Sequence, residues 1–151
     1  METKIVKTKK DQITLLTKIS KEAFDTDIFV GSNEIGGPPG YDSLEWYYKI
    51  QESGNLYSFF SNGKLIGGAV LLIDKNNPKI LYIGRIFIDS KYHRQGYGLK
   101  LIDDIETAYP NIKYIRLETP IWNVRTNAFY RKCGFVEMFK NNESIFFEKK
   151  I

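Results

Sequence analysis

The segment that most constrains this chain runs from Ile86 to Gly98 and reads I-F-I-D-S-K-Y-H-R-Q-G-Y-G. Ile86, Phe87 and Ile88 read as a buried strand. The basic stretch with Gly96 and Gly98 reads as a tight turn, and Tyr97 onward as the start of a helix. Such a turn aims backbone N–H groups at one point, and the helix dipole adds positive potential there. The pattern predicts an anion site, best matched by a diphosphate. Glycines at 96 and 98 let amides approach phosphate oxygens closely, and Arg94 adds a charge-assisted contact. A Walker A loop is excluded because no G-K-[ST] follows. The dinucleotide fingerprint lacks its third glycine and its early βαβ unit.

The rest of the chain alternates strands and helices around this segment. Lys4 to Thr8 is a short strand. Asp11 to Phe24 places Ile13, Leu16, Ile19 and Ala23 at helical spacing. Asp27 to Asp42 holds too many glycines and prolines for a helix and reads as a long loop. Ser43 caps a second helix that offers Leu44, Tyr47, Tyr48 and Ile50 for packing. Leu56–Phe60 and Lys64–Asp74 flank Asn62-Gly63, a hairpin signal, and a further turn at Asn76-Asn77-Pro78 leads into Ile80–Asp89. Tyr97–Tyr109 is a helix with Leu101, Ile102 and Ile105 inward, closed by Pro110. Tyr114–Thr119 is a strand, and Asn123–Lys132 a helix ended by Gly134. Phe135–Lys140 and Ser144–Lys149 form a last hairpin. The expected architecture is α/β: a central mixed, mostly antiparallel sheet of about seven strands with about four helices on its faces. The fourth and fifth strands, joined through a helix, should run parallel.

At 151 residues the chain is long enough for one full core and short for two, so residues 1–151 read as a single domain. Net charge is +4, which suits a phosphate-bearing ligand. Acids are interspersed among the bases, so nucleic acid is not an expected partner. No apolar stretch is long enough to span a membrane. The N-terminal residues lack the apolar run of a signal peptide, and the one cysteine, Cys133, allows no internal disulfide. A reducing, cytoplasmic setting is expected. One histidine and one cysteine cannot make a typical zinc site, so no metal is expected. Cys133 reads as a small buried apolar residue.

A second segment, Asn123 to Phe135, reads N-V-R-T-N-A-F-Y-R-K-C-G-F. With this segment in place the chain resembles the GNAT family of acyl-CoA-dependent N-acyltransferases. Ile86–Leu99 is similar to that family's strand and pyrophosphate loop, Q/R-x-x-G-x-G/A. Asn123–Phe135 is similar to its later helix motif, with Asn, Tyr and Gly-Phe in register. The order of elements matches over nearly the whole chain. One departure is His93, which stands where the loop usually begins with Gln or Arg; a ring N–H there would weaken the phosphate contact without abolishing it.

The resemblance implies acetyl-CoA as co-substrate and direct transfer of its acetyl group to a primary amine. By the same resemblance, Ile86, Phe87 and Ile88 would offer backbone groups to the pantetheine arm, added like an extra strand. A backbone N–H near Ile88 would serve as oxyanion donor. His93, Arg94, Gln95, Gly96, Tyr97, Gly98 and Leu99 would wrap the pyrophosphate. Asn123 would bond the pantetheine arm. Tyr130, two helical turns after Asn123 and on the same face, would protonate the departing thiolate, a task suited to a phenol. Glu118 matches a Glu that serves as general base in members acetylating protein N-termini.

The acceptor pocket would come from Phe29 to Tyr48. There Glu34, Asp42 and Glu45 lie near Tyr41, Trp46, Tyr47 and Tyr48. These aromatics either seat a cationic amine or fill the core. The long loop would cover the acceptor site, which favours a small-molecule amine over a peptide N-terminus. Two alternatives stand beside this reading: a peptide or protein N-terminal acetyltransferase, and a non-catalytic acyl-CoA-binding or sensing domain on the same fold. The C-terminal hairpin offers an edge to a second copy, so a homodimer is among the expected assemblies.

Overall fold

The computed structural model describes residues 2–29, 31–32 and 36–151. Its strands are β1 (Thr3–Lys7), β2 (Leu56–Ser61), β3 (Lys64–Ile73), β4 (Ile80–Ile88), β5 (Tyr114–Pro120), β6 (Val136–Lys140) and β7 (Ser144–Lys150). Its helices are α1 (Ile13–Asp25), α2 (Leu44–Glu52), α3 (Tyr97–Ala108) and α4 (Val124–Lys132). The strands form one sheet in the order β1-β2-β3-β4-β5-β7-β6. Only β4 and β5 are parallel, as the helical crossover between them requires; every other pair is antiparallel. The expected mixed α/β fold is the observed one. No described helix is long and apolar enough to cross a membrane.

Local chemistry sets the element ends. Asn62 and Gly63 both take positive φ, +49° and +80°, as a two-residue type I′ hairpin demands. The Ser43 hydroxyl accepts from the Trp46 amide at 3.1 Å and caps α2. Two boundaries differ from the periodicity reading. Lys10–Gln12 forms a 3-10 turn ahead of α1, and Thr26–Phe29 another behind it, where a loop was expected. In α2 the expected packing residue Leu44 is exposed, and Trp46 packs against the core in its place.

Helices cover both sheet faces. Ile13, Leu16, Ile19 and Ala23 of α1 and Tyr47 of α2 bury against Leu56, Leu65, Val70 and Phe87. Leu101, Ile102 and Ile105 of α3 and Tyr130 of α4 bury against Ile66, Leu81, Ile83, Ile115, Leu117 and Phe147. β3 is therefore apolar along most of its length rather than alternating.

The feature that matters for function lies between β4 and β5. Their parallel pairing starts at Ile80 with Tyr114 and stops at Ile83 with Leu117. On the other side of β4 the register slips: Val70 faces Arg85 and Leu71 faces Ile83, so Gly84 has no partner. A bulge bends the strand that carries it. Past Gly84, β4 stays with β3 and β5 stays with β7, and the two part.

Leu101 is completely buried under the sheet. Leu101→Ala should cost about 2–5 kcal/mol of unfolding free energy, read from urea denaturation.

Candidate active site

Two cavities meet where β4 and β5 part. The larger, about 960 Å³, runs along the end of β4, the loop to α3 and the length of α4. The smaller, about 370 Å³, is walled by Gly36, Gly37 and Pro38 on one side and by Glu118, Thr119, Pro120 and Trp122 on another. Phe24, Asp27, Ile86, Asn123, Thr126 and Tyr130 line both.

Strand pairing decides which backbone groups enter this gap. The Asp89 amide donates to the Ile66 carbonyl at 2.7 Å. Alternation along an antiparallel pair then turns the Phe87 backbone toward β3, and the Ile86 and Ile88 backbones toward the gap. Of the three strand residues singled out from the sequence, two thus present free-edge groups. Phe87 contributes its ring, which is buried against Phe24 and Tyr47.

The loop that follows is shaped for an anion. The Asp89 carboxylate accepts from the Lys91 amide at 3.0 Å and starts a 3-10 turn over Ser90–Tyr92. Arg94 and Gly96 take φ of +61° and +85°. Gly96 directly precedes α3, and no side chain caps that helix. Its first amides therefore keep their hydrogen-bonding capacity for a ligand. The two glycines serve different needs. A Cβ at Gly96 would meet nothing, so the left-handed backbone is what requires glycine there. A Cβ at Gly98 would lie 2.8 Å from the Phe129 ring, so that glycine lets α3 and α4 close on each other.

Other loop residues are placed as follows. Arg94, Tyr97 and Leu99 line the large cavity. The Tyr97 ring packs edge-on to Tyr92, and its hydroxyl accepts from Ser61 at 3.3 Å. Gln95 lies outside the lining and ties back to the Lys91 carbonyl at 3.1 Å. His93 lines the cavity, but its Nε2–H donates to the Ile88 carbonyl at 2.6 Å. That ring N–H, expected at a phosphate, instead fixes the loop to the end of β4.

Helix α4 is anchored by two asparagines. Asn123 Oδ1 accepts from the Thr126 amide at 3.0 Å and caps the helix. Its Nδ2 donates to Asp27 Oδ1 at 3.4 Å, so the side chain expected at the pantetheine arm is engaged at both ends. Asn127, missed in the sequence, accepts from the Thr119 hydroxyl and donates to the Pro120 and Ile121 carbonyls at 3.2 and 3.3 Å. Asn127 thus fixes α4 to the end of β5, and Asn123 ties the start of α4 to Asp27. Tyr130 is thereby held with 5% of its surface exposed, among Phe129, Phe135 and Phe147. Burial pushes its phenol pKa well up, so it stays protonated at neutral pH. Its hydroxyl makes no hydrogen bond among the described residues, and the residue lines both cavities.

Glu118 lies in the small cavity, exposed, on the β5 face opposite buried Leu117 and Thr119. It has no hydrogen-bond or ion-pair partner among the described residues.

The small cavity is not walled by the residues expected to seat an amine. Glu34 lies outside the described residues. Tyr41, Asp42, Glu45, Trp46, Tyr47 and Tyr48 do not line the small cavity. The aromatics fill the core, the second of the two roles open to them. Tyr47 is fully buried, with its hydroxyl bonded to Ser20. The Trp46 face is already occupied by a cation, the Arg85 guanidinium, 3.9 Å from the ring centre. Arg85 also donates to the Tyr47 hydroxyl and the Pro39 carbonyl, at 3.2 and 2.6 Å. It thus pins the 36–42 loop to β4.

The sequence reading also missed Asp27 and Arg125. The Arg125 guanidinium reaches the Asp27 carboxylate at 3.2 Å and the Thr26 hydroxyl at 3.0 Å. No sequence signal joins positions so far apart along the chain.

His93 yields a pH prediction. Burial pushes its pKa below the ordinary 6.5, and nearby Arg125 adds to this, against the opposing effect of the Ile88 carbonyl. The unfolded chain therefore takes up a proton at a pH where the folded one does not. Stability from His93 is complete above the ordinary value and falls as pH drops through it toward the folded pKa. Thermal melts of His93→Gln should show a flatter profile than wild type between about pH 7 and pH 5.

Solved structures share this fold. The PaiA N-acetyltransferase from Thermoplasma acidophilum, crystallised with coenzyme A, superposes with a TM-score of 0.78 at 22% identity, covering 100% of both chains. A GNAT-family acetyltransferase from Streptococcus agalactiae gives 0.84 at 16% identity, over 99% of this chain and 95% of that one. An acetyltransferase from Thermus thermophilus gives 0.81 at 10% identity, over 100% of this chain and 98% of that one. At such identities the likeness is one of fold. No curated protein matches the chain in sequence. The model of the acetyltransferase (GNAT) family, however, matches residues 17–135. That stretch includes both glycine-bearing segments and the gap between β4 and β5, and the chain belongs to the GNAT family of acetyltransferases.

Proposed function

We propose that this protein transfers the acetyl group of acetyl-CoA to the primary amine of a small molecule, by direct attack within a ternary complex. The observation that carries the reading is the junction of two cavities at the β4–β5 gap, with Tyr130 lining both. A chain that only sensed acyl-CoA would need neither the second cavity nor a proton donor at the junction.

The residues present fit acetyl-CoA as co-substrate. The uncapped start of α3 and Arg94 receive the pyrophosphate. The free edge of Ile86 receives the pantetheine arm, and the N–H of Ile88, a residue whose carbonyl is bonded to His93, holds the thioester oxygen as it gains charge. The Tyr130 hydroxyl gives its proton to the departing sulfur. Glu118 faces the acceptor as a carboxylate. The acceptor cavity, at about 370 Å³ and walled by the Arg85-pinned loop, has the dimensions of a small molecule.

Three further points belong to the same reading. One sheet runs from Thr3 to Lys150, which supports residues 1–151 as one domain. The single cysteine supports a cytoplasmic setting. Edge strand β6 exposes Val136, Met138 and Phe139, which supports pairing with a second copy.

The test is calorimetric titration with acetyl-CoA, followed by thiol release across polyamines, amino acids, aminoglycosides and short peptides. Binding with release on small amines is expected, and Tyr130→Phe should lower turnover about 10²-fold with unchanged acetyl-CoA affinity. Release on peptides alone would transfer the reading to a protein N-terminal substrate. Binding without any release would leave a sensor.

A further inference from the structure

An alkylamine at neutral pH is an ammonium ion and must lose a proton before its nitrogen can attack. The base has to reach the point where acceptor and thioester meet. Of the six described residues that line both cavities, Tyr130 and Asp27 are the two that titrate. Tyr130 is the proton donor to sulfur. Asp27 follows α1 in the Thr26–Phe29 turn and is 7% exposed. Its Oδ1 accepts from Asn123 Nδ2 at 3.4 Å and from Arg125 at 3.2 Å. Its Oδ2 takes no hydrogen bond among the described residues. The carboxylate is thus held by one oxygen and keeps the other. Glu118 lines the acceptor cavity alone and is exposed.

We infer that Asp27 is the base that takes the proton from the acceptor ammonium, and that Glu118 supplies only counter-charge in the acceptor cavity. This rests on the acetyl-transfer reading above. One N–H bond of the ammonium breaks, and its proton goes to Asp27 Oδ2. The nitrogen lone pair forms the C–N bond at the thioester carbonyl carbon. The C–S bond breaks, and its electron pair stays on sulfur. Tyr130 gives sulfur a proton and regains one from the nitrogen. Asp27 then releases its proton to solvent, one per turnover.

The surroundings of Asp27 suit the task. Arg125 on α4 bonds it, His93 on the loop before α3 lies within electrostatic reach, Tyr130 borders both cavities and Glu118 the smaller one. Burial raises its pKa, and Arg125 and Asn123 only partly offset this. A carboxylate raised in this way is a stronger base than an exposed one. The same shift makes its contribution to folding less favourable as pH rises through the window above 3.8, because the folded state binds the proton more tightly than the unfolded chain does.

The experiment compares wild type, Asp27→Asn and Glu118→Gln. It measures acetyl-CoA titration, thermal midpoint at neutral pH, and pH profiles of kcat/KM with an alkylamine and with hydroxylamine, which is neutral at that pH. Asp27→Asn should keep acetyl-CoA affinity and melt no lower than wild type. It should lose about 10²-fold with the alkylamine, along with the acidic limb of the profile, and far less with hydroxylamine. Glu118→Gln should keep that limb. Wild-type activity in Asp27→Asn, equal losses for both nucleophiles, or a lowered midpoint with lost acetyl-CoA affinity would overturn the role; the last would mark Asp27 as an anchor for Arg125. Transfer of the limb to Glu118→Gln would overturn it as well. Wild type that binds acetyl-CoA but releases no thiol with any amine would sink the acetyl-transfer reading and this inference together.

Discussion

Parallel pairing between β4 and β5 ends at Ile83 and Leu117, and the site exists because it ends there. Had the ladder continued, Ile86 and Ile88 would bond β5, and no edge would face a ligand. The slip at Gly84 bends β4 while its bonds to β3 persist, so the strand turns without losing its place in the sheet. Backbone groups left open inside a domain need partners. Here the Ile88 carbonyl has one in His93, and the remaining groups at Ile86 and Ile88 face the gap.

The gap is useful only because its borders are rigid. On the β5 side, Asn127 binds α4 to the strand end, and Asn123 caps the helix that carries Tyr130. On the α3 side, Gly98 lets the helix start close against Phe129. On the α1 side, the Asp27–Arg125 pair ties the turn after α1 to α4. At the smaller cavity, Arg85 holds the loop by stacking on Trp46 and bonding Pro39. A charged side chain does this well because its guanidinium is planar and offers several donors at once.

Local patterns carried most of the fold. Asn62-Gly63 announced its hairpin because few residues other than Asn and Gly accept two positive φ angles in succession. The spacing of Ile13, Leu16, Ile19 and Ala23 announced α1 because one helix face must be apolar to bury. The two glycine-bearing segments were legible for the same reason: each demand falls within a dozen residues. What stayed hidden was long-range. Nothing near Asp27 in the sequence points to Asn123 or Arg125. The aromatics around Tyr47 were open to either a ligand or a core, since hydrophobic spacing does not name the occupant of a ring face.

The sequence by itself determined the order of strands and helices, the glycine-bearing turn before α3 and the placing of Tyr130 on α4, because backbone stereochemistry and helical periodicity act between near neighbours. Only the tertiary structure decided which residues share a cavity. Asp27 and Tyr130 line the same two cavities, Arg85 covers Trp46, and His93 bonds β4. Such contacts follow from how far β4 bends and how closely α4 approaches α3, and those distances are set by packing among segments far apart along the chain.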